Sequence, residues 1–310
     1  MKRVAASLTA VAAALALLTG CAAKQPEELT PPFWQAVSPE GEQAWLLGSM
    51  HVGKKNTAYP DYVLEAFDAC SSVICEVDTI ALEADQSALT ECLSLLLCPD
   101  GTTASDRLGE DYAEIKSFFL KNGMYSPVYE LYMPSLWTTA LSNKTAEKCG
   151  LDAALGTEAV FLERAKAQGK TIIEAESARA QYEVLAASPE GLDVYTLREA
   201  AREGFSAQQA SLEELYTAWA EFDSASLEKL LEDEEIPEEY ARQYEDYCRM
   251  MYADRQKVMA QCLMDADKSG GVFMFVGALH YYAEPDIITL LEDAGWTVSE
   301  VRPADSAAAA

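Results

Sequence analysis

The sequence predicts an α/β protein in which a mixed β-sheet is flanked by helices and a long helical insertion separates two halves. Three observations support this fold class. Short apolar runs typical of strands occur near both ends of the chain, helical periodicity fills the spaces between them, and residues 179–266 are almost wholly helical in pattern. In open α/β sheets, ligands bind beyond the carboxyl ends of the strands. The residues that follow each strand are therefore the first candidates for a functional site.

The first twenty residues have the layout of a secretory signal peptide. Two cations, at positions 2 and 3, precede a run of uncharged, mostly apolar residues that is too short to cross a bilayer comfortably. The run ends in the letters LTGC, which resemble the lipobox of bacterial lipoproteins, where Cys21 would carry the lipid. We therefore expect residues 1–20 to be removed and residues 21–32 to form a lipidated tether on the extracytoplasmic face of the cell membrane. The alternative is an ordinary signal peptide that ends near a cysteine.

The rest of the chain is long enough for one large α/β domain, which we place at residues 33–303, followed by a flexible tail over residues 304–310. The 310 residues carry a formal net charge of −28. Such an acidic surface repels phosphate backbones, so nucleic acid is excluded as an expected partner.

Seven cysteines follow Cys21, and an odd number cannot all form disulfides within the chain. Their spacing contains no CxxC pair and no zinc-site pattern. Cys92 and Cys98 form the most plausible disulfide because the loop between them is short. Buried structural thiols are the alternative.

The N-terminal half begins with FWQAV and QAWLLG, which are typical of two strands joined by a turn. A helix is predicted over about 60–70, and SSVICEVD then gives a short strand. Helical periodicity covers residues 80–97 and 106–122. Two prolines in the segment 125–142 predict short, irregular or kinked helical pieces there.

The C-terminal half contains a helix from about 152 to 167, with Gly169 as its C-cap, followed by the strand TIIEAE. After the long helical segment, GGVFMFVG is a continuous apolar run, typical of a strand that is buried on both faces. One more helix ends at Gly295, and TVSEV is the last strand.

The chain has only two histidines, and both occur in the same local setting. His51, in LLGSMHVG, and His280, in FVGALHYY, each end an apolar run and follow a glycine by three positions. Gly48 and Gly277 would let the backbone turn or approach a ligand just before a side chain that must point inward. A single histidine is usually a core or loop residue, but the repeated GxxH setting favours a shared function.

Carboxylates follow two other predicted strands. Glu76 and Asp78 lie where the SSVIC run ends, and Glu176 ends the TIIEAE strand. Imidazole with carboxylate is a usual ligand set for a divalent transition metal such as Mn, Co or Zn, and an open site of this kind can activate water. The sequence therefore predicts a metal site formed by His51, His280 and Glu76, with Glu76 as either a ligand or the general base.

These motifs resemble those of the TraB/GumN family, whose relatives include the Tiki membrane metalloproteases. The resemblance covers about residues 33–302, and its motifs are LLGSMHVG, VICEVD, GLDAALGTEAVFLERAKAQGKTIIEAES with the Gln181 that follows, DRQKVMAQCL and FVGALHYYAEPDIITLLEDAGWTV. It implies a catalytic role for His51, His280 and Glu76. The wider relatives include erythromycin esterase-like and ChaN-like proteins.

Two positions depart from the family pattern. Arg255 precedes a glutamine where the family usually has asparagine, and the usual LET after the middle strand is Ala175, Glu176 and Ser177. Neither departure touches the histidines. Arg255 and Glu176 therefore remain additional candidate site residues.

The residues and the resemblance together favour a lipid-anchored, metal-dependent hydrolase that acts on peptides or proteins outside the cytoplasm. Fold resemblance alone does not transfer an activity. A lipoprotein that binds a peptide or small molecule without turnover is the first alternative, and a haem-handling protein is the second. Metal content distinguishes the first two hypotheses, and a Soret band on addition of haem would indicate the third.

Overall fold

A computed structural model describes residues 26–232 and 236–303 of the chain. Its centre is a six-stranded mixed sheet with the strand order β10-β2-β3-β9-β6-β8. The ten described strands are β1 (Glu27–Glu28), β2 (Phe33–Val37), β3 (Gln43–Ser49), β4 (Gly53–Lys54), β5 (Thr57–Ala58), β6 (Ser72–Cys75), β7 (Leu151–Asp152), β8 (Thr171–Glu174), β9 (Val272–Gly277) and β10 (Thr297–Glu300). The predicted signal peptide, Cys21 and the tail 304–310 lie outside the described residues.

Two types of pairing divide the sheet. β10, β2 and β3 pair antiparallel, whereas β3, β9, β6 and β8 are parallel to one another. β9 lies between β3 and β6, so a strand from the end of the chain occupies the middle of the sheet. The carboxyl ends of four parallel strands consequently meet along one edge.

Helices cover both faces of the sheet and form most of the remaining chain. Those described are α1 (Asp61–Ala69), α2 (Thr79–Ala84), α3 (Gln86–Ser94), α4 (Ala104–Leu108), α5 (Tyr112–Lys121), α6 (Pro134–Lys148), α7 (Thr157–Gln168), α8 (Ala178–Ala186), α9 (Glu190–Glu203), α10 (Ser206–Ala220), α11 (Ser224–Glu232), α12 (Ala241–Cys248), α13 (Asp254–Asp265) and α14 (Ile287–Asp293). A π-helical segment, Arg249–Ala253, joins α12 to α13. The helices α8–α13 form the predicted insertion between β8 and β9.

β9 shows why the apolar run GGVFMFVG forms a central strand. Successive side chains of a strand point to opposite faces of the sheet. Val272, Met274 and Val276 pack in a core with α13 and α14, whereas Phe273 and Phe275 pack on the other face with α1 and α7. All five side chains are fully buried, so the prediction of a strand covered on both faces is confirmed.

Two local predictions were wrong in detail. Pro134 does not break a helix but begins the 15-residue helix α6, because the first helical position needs no backbone N–H donor. The helix predicted from 152 starts only at Thr157. The residues before it form β7 and a 3₁₀ turn, in which the Asp152 side chain accepts a hydrogen bond of 3.0 Å from the Ala154 N–H.

The seven cysteines between residues 70 and 262 are free thiols, so the proposed Cys92–Cys98 disulfide is not formed. Cys92 is buried on α3, and Cys98 follows the helix with its backbone N–H donating to the Leu131 carbonyl. Across the described ranges, no helix combines the length and the apolar character needed to cross a membrane.

Candidate functional site

Four candidate residues follow the carboxyl ends of four adjacent parallel strands. In the order of the sheet, His51 follows β3, His280 follows β9, Glu76 follows β6 and Glu176 follows β8. We call these four residues the strand-end row. Because the neighbouring parallel strands run in register, residues that are far apart in the sequence lie side by side at one edge.

Glu76 is the most constrained member of the row. Its carboxylate is buried, and both oxygens accept hydrogen bonds. Oε1 accepts a bond of 2.7 Å from the Gly277 N–H, whereas Oε2 accepts bonds of 2.7 Å from Arg255 Nη2 and 2.8 Å from Gln181 Nε2. The side chain is thus fixed by three elements, namely β9, α13 and α8.

Arg255 joins Glu76 to Glu176. Its Nε lies 2.8 Å from Glu176 Oε1, and its Nη2 donates to an oxygen of each glutamate. The side chains of Arg255 and Glu176 are 13% and 5% exposed, so this is a buried, charge-assisted contact with fork geometry. One guanidinium therefore holds two carboxylates from neighbouring strands, and the additional candidates Glu176 and Arg255 belong to the same site as Glu76.

His280 lies beside this network and is buried. Its Nε2 is 3.8 Å from Glu76 Oε1, which is too long for a hydrogen bond. Its Nδ1 is a buried atom without a hydrogen-bond partner among the described residues. Burial lowers the pKa of His280 to about 4, although the Glu76 carboxylate opposes the shift. The imidazole is therefore neutral at pH 7 and can offer a lone pair.

His51 stands at the exposed end of the row, and 71% of its side chain is accessible to solvent. Its Nδ1 is 3.1 Å from Glu158 Oε1, and the Ser49 hydroxyl donates a bond of 2.5 Å to the same oxygen. The Glu158 carboxylate raises the pKa of His51, and solvent over the exposed ring screens part of this attraction. The contact fixes the ring through Nδ1 and leaves Nε2 facing away from Glu158.

Several groups keep the buried Glu76 carboxylate ionised. Burial opposes the charge of Glu76, but attraction to His280, His51 and Arg255, together with the Gly277 N–H, lowers its pKa to about 2. The Arg255 guanidinium is buried and permanently charged, so its attraction to Glu76 persists at neutral pH. A carboxylate with so low a pKa is a weak general base.

Tight backbone contacts position the His51 loop. A Cβ at Gly156 would overlap the His51 carbonyl, and one at Gly53 would overlap the Leu155 carbonyl. β4 also pairs with β7, which places the loop against the start of α7. Glu158 reaches His51 from the first turn of α7 because of this close approach. Glu158 is not among the site residues predicted from the sequence. The feature that could have indicated it is the glycine directly before the helix start in LGTEAV.

Two predicted site residues have structural roles. Asp78 caps α2, accepting a bond of 3.0 Å from the Ala81 N–H, and it forms an ion pair with Lys166. Gly48 is packed against other elements, since a Cβ there would lie 3.1 Å from those of both Ala278 and Pro32. Gly277, by contrast, contacts the site directly, because its N–H donates to Glu76.

The donors of the row match a transition metal in type. No three His, Cys, Asp or Glu side chains within residues 26–232 and 236–303 form a group that could hold a metal ion. The Glu158–His51 contact is nevertheless the arrangement that usually orients a histidine for metal binding through its other nitrogen. His280 adds a neutral imidazole, and Glu76 adds an ionised carboxylate near it. The donor types therefore match a histidine and carboxylate site, although the described side chains do not form a three-residue group that could hold a metal.

Comparison with known proteins places this arrangement in a family. The model of the TraB/PrgY/gumN family matches residues 32–300, which is most of the chain. The chain belongs to the TraB/PrgY/gumN family. No curated protein and no solved structure gives a significant match.

The TraB/PrgY/gumN match extends from the residue before β2 to the last residue of β10, and thus includes the whole six-stranded sheet. It also includes every member of the strand-end row, with Arg255, Gln181 and Glu158. The family resemblance seen in the sequence motifs is therefore confirmed.

Proposed function

We propose that this TraB/PrgY/gumN protein is a metal-dependent hydrolase that acts on peptides. One observation carries the proposal: His51, His280 and Glu76 follow three neighbouring parallel strands, at the edge of the sheet where α/β proteins bind ligands. Histidine and carboxylate together form the ligand set of a divalent transition metal such as Mn, Co or Zn. A bound metal of this kind polarises a carbonyl group and lowers the pKa of a bound water.

The contacts favour particular roles for the three residues. Glu158 orients His51 through Nδ1, so Nε2 is the nitrogen assigned to the metal. His280 is assigned as a neutral ligand because burial lowers its pKa. Glu76 is assigned to holding the metal rather than to removing a proton, because its low pKa and its contact with Arg255 make it a weak base.

A binding protein without turnover is the second candidate. The observation that favours it is the separation of the donors: His280 Nε2 and Glu76 Oε1 are 3.8 Å apart, and the His51 ring is largely exposed. In that case the strand-end row would bind a peptide or small molecule through hydrogen bonds and charge.

The proposed location is the extracytoplasmic face of the cell membrane, with a lipid on Cys21 as the anchor. This location is supported by the signal-like N-terminal segment and the LTGC sequence. Peptides or proteins outside the cytoplasm are then the proposed substrates. The strongly acidic composition argues against nucleic acid.

Metal content tests the proposal most directly. The intact protein is purified without chelator and analysed for transition metals, beside His51→Ala, His280→Ala and the control Glu163→Gln. Glu163 is an exposed carboxylate lining the cleft beside His51 and is not an assigned ligand. We expect one metal per chain in the parent and the control, and a loss in both histidine variants. Equal metal content and equal peptide turnover in all four proteins would remove the metal hypothesis.

A further inference from the structure

A second cleft opens beside the row at its Glu176 end, with α8 on one side and the π-helical segment and α13 on the other. Its volume is about 460 Å³, within the usual range of small-molecule pockets. Its walls are mainly apolar and include Ala180, Val184, Met250 and Val258, whereas Glu176 and Arg255 contribute polar groups. The cleft therefore adjoins the residues that hold Glu76.

The apolar walls of this cleft are unusual on so acidic a protein. Met250 and Val258 are 36% and 51% exposed, and they are two of the six large apolar side chains that are exposed in the described residues. The acidic residues at the rim have cationic neighbours on their own helices: Glu183 pairs with Arg179, and Asp254 with Lys257. The cleft therefore favours an apolar group over a charged one.

The π-helical segment connects the cleft to the candidate site through three successive residues. Met250 lines the cleft, Met251 accepts a bond of 3.2 Å from Arg255 Nη1 through its carbonyl, and the Tyr252 ring lies 5.7 Å from the His280 ring. π-Helical turns are rare and occur frequently at functional sites. A group bound against Met250 would thus lie next to the segment that contacts both Arg255 and His280.

The geometry points to this cleft as the binding site for a large apolar side chain of the peptide substrate. The inference rests on the proposed function, and it names Met250, Val258, Ala180 and Val184 as residues that determine specificity. The occupant is the substrate because Glu176 and Arg255 belong both to the cleft and to the network around Glu76. Methionine adapts its shape to different apolar partners, so leucine, methionine and phenylalanine side chains are all expected to fit.

Peptide binding tests this inference without requiring turnover. Two fluorescein-labelled hexapeptides that differ only in Leu or Asn at one position are titrated into the intact protein and followed by anisotropy. Burial of the leucine side chain is expected to make the Leu peptide bind about tenfold more tightly or better. Met250→Gln with Val258→Thr keeps the shape of both side chains and is expected to bring the ratio close to one. The control Leu120→Gln, at an exposed apolar residue on α5, should keep the parent ratio.

Ala180→Phe provides a second test, since the added ring would fill the cleft while the other wall residues stay in place. We expect this variant to lose the preference for the Leu peptide. A ratio near one in the parent, absence of binding by either peptide, or an unchanged ratio in both cleft variants would overturn the inference. If the ratios behave as expected but no peptide is hydrolysed in the presence of metal, the hydrolase proposal fails and the cleft assignment stands. Hydrolysis without any apolar preference would instead overturn the cleft assignment and support the hydrolase proposal.

Discussion

Glu76 Oε1 accepts a hydrogen bond of 2.7 Å from the backbone N–H of Gly277, and the two residues are 201 positions apart in the chain. The bond joins the end of β6 to the end of β9, three residues before His280. A backbone amide cannot rotate away as a side chain can, so this contact fixes the carboxylate next to the imidazole. It also gives Gly277 a chemical role that Gly48 does not have.

Substitution of Gly277 should therefore impair the site more than substitution of Gly48. A Cβ at position 277 would lie 3.2 Å from Glu76 Oε1 and 3.5 Å from the His280 ring. At position 48 it would meet apolar atoms instead. We expect Gly277→Ala to lower metal content and peptide turnover at least tenfold, whereas Gly48→Ala mainly costs about 1–3 kcal/mol of folding stability through overpacking. Urea unfolding and metal analysis of both variants measure the difference, and equal metal content in the two would contradict it.

Arg255→Met should destabilise the protein strongly because it leaves two buried carboxylates without their shared cation. Removal of one partner from a buried ion pair typically costs about 3–5 kcal/mol. The pKa of Glu76 should also rise, since one of the charges that lower it is lost. The control Arg179→Met breaks the exposed pair with Glu183 and should change stability by less than about 1 kcal/mol. Similar unfolding midpoints for both variants would show that the Arg255 network contributes little.

Glu158→Gln tests the orientation of His51. The amide keeps nearly the same shape but loses the charge that raises the pKa of His51, so that pKa should fall toward its ordinary value. NMR titration can follow this directly, because the chain has only two histidines and burial lowers the pKa of His280, which separates its titration from that of His51. Metal affinity is expected to fall about 10–100-fold, the usual effect of losing a partner that orients a ligand. An unchanged titration of His51 would contradict the assigned contact.

Asp193 should make stability depend on pH. It is buried between α6 and α9 with hydroxyl partners, Ser188 Oγ at 3.0 Å and Thr138 Oγ1 at 3.3 Å, and burial raises its pKa from 3.8 to about 7. The folded state therefore holds this proton more tightly than the unfolded state does. The contribution of Asp193 to the free energy of unfolding is fully present below pH 3.8, and it is lost as the pH rises to about 7.

The matching variant is Asp193→Asn, which cannot ionise. At pH 8 it should be more stable than the parent, by up to about 4 kcal/mol if the whole shift acts on stability. Near pH 4 the two proteins should be similarly stable. Urea unfolding at four pH values between 4 and 8 measures the difference, which should grow with pH. A constant difference over this range would indicate that Asp193 titrates normally.

Cys21→Ser tests the proposed anchor. The variant should lose acylation and remain unprocessed or leave the membrane, because the lipobox-like LTGC is the proposed lipid signal. Cells are grown with a clickable fatty acid, and the protein is isolated and examined for label. Label that persists on the Cys21→Ser protein would place the lipid elsewhere.

The positions of the strand ends could be predicted from local sequence patterns. The contacts between neighbouring strands could not. The apolar runs before His51, Glu76 and His280 correctly located β3, β6 and β9, because burial on two faces produces a continuous apolar pattern. The order of these strands in the sheet depends on pairings between residues that are two hundred positions or more apart. No local pattern encodes them. The residues of the strand-end row could therefore be predicted from the sequence, but their order along the sheet could not.

Asp78 and Glu158 show two contacts near the strand ends that the sequence did not predict. An acidic residue just after a strand can enter a site or cap the next helix, and Asp78 caps α2. Glu158 lies one residue inside a helix, where an acidic side chain is common for electrostatic reasons. Its contact with His51 exists only because Gly53 and Gly156 allow two backbones to approach closely. The π-helical segment likewise arises in a sequence with ordinary helical periodicity.

The position of β9 between β3 and β6 has a consequence for how the molecule reaches its native state. Until residues 272–277 have been synthesised, β2 with β3 and β6 with β8 can form only as separate pieces, each with an unpaired strand edge. Contacts of such long sequence separation form slowly. A nascent or truncated chain that ends before Val272 would lack His280 as well as the central strand. Such a chain would expose unpaired strand edges, which favour aggregation, and would lack one member of the strand-end row. The row is therefore complete only once β9 and His280 have been synthesised.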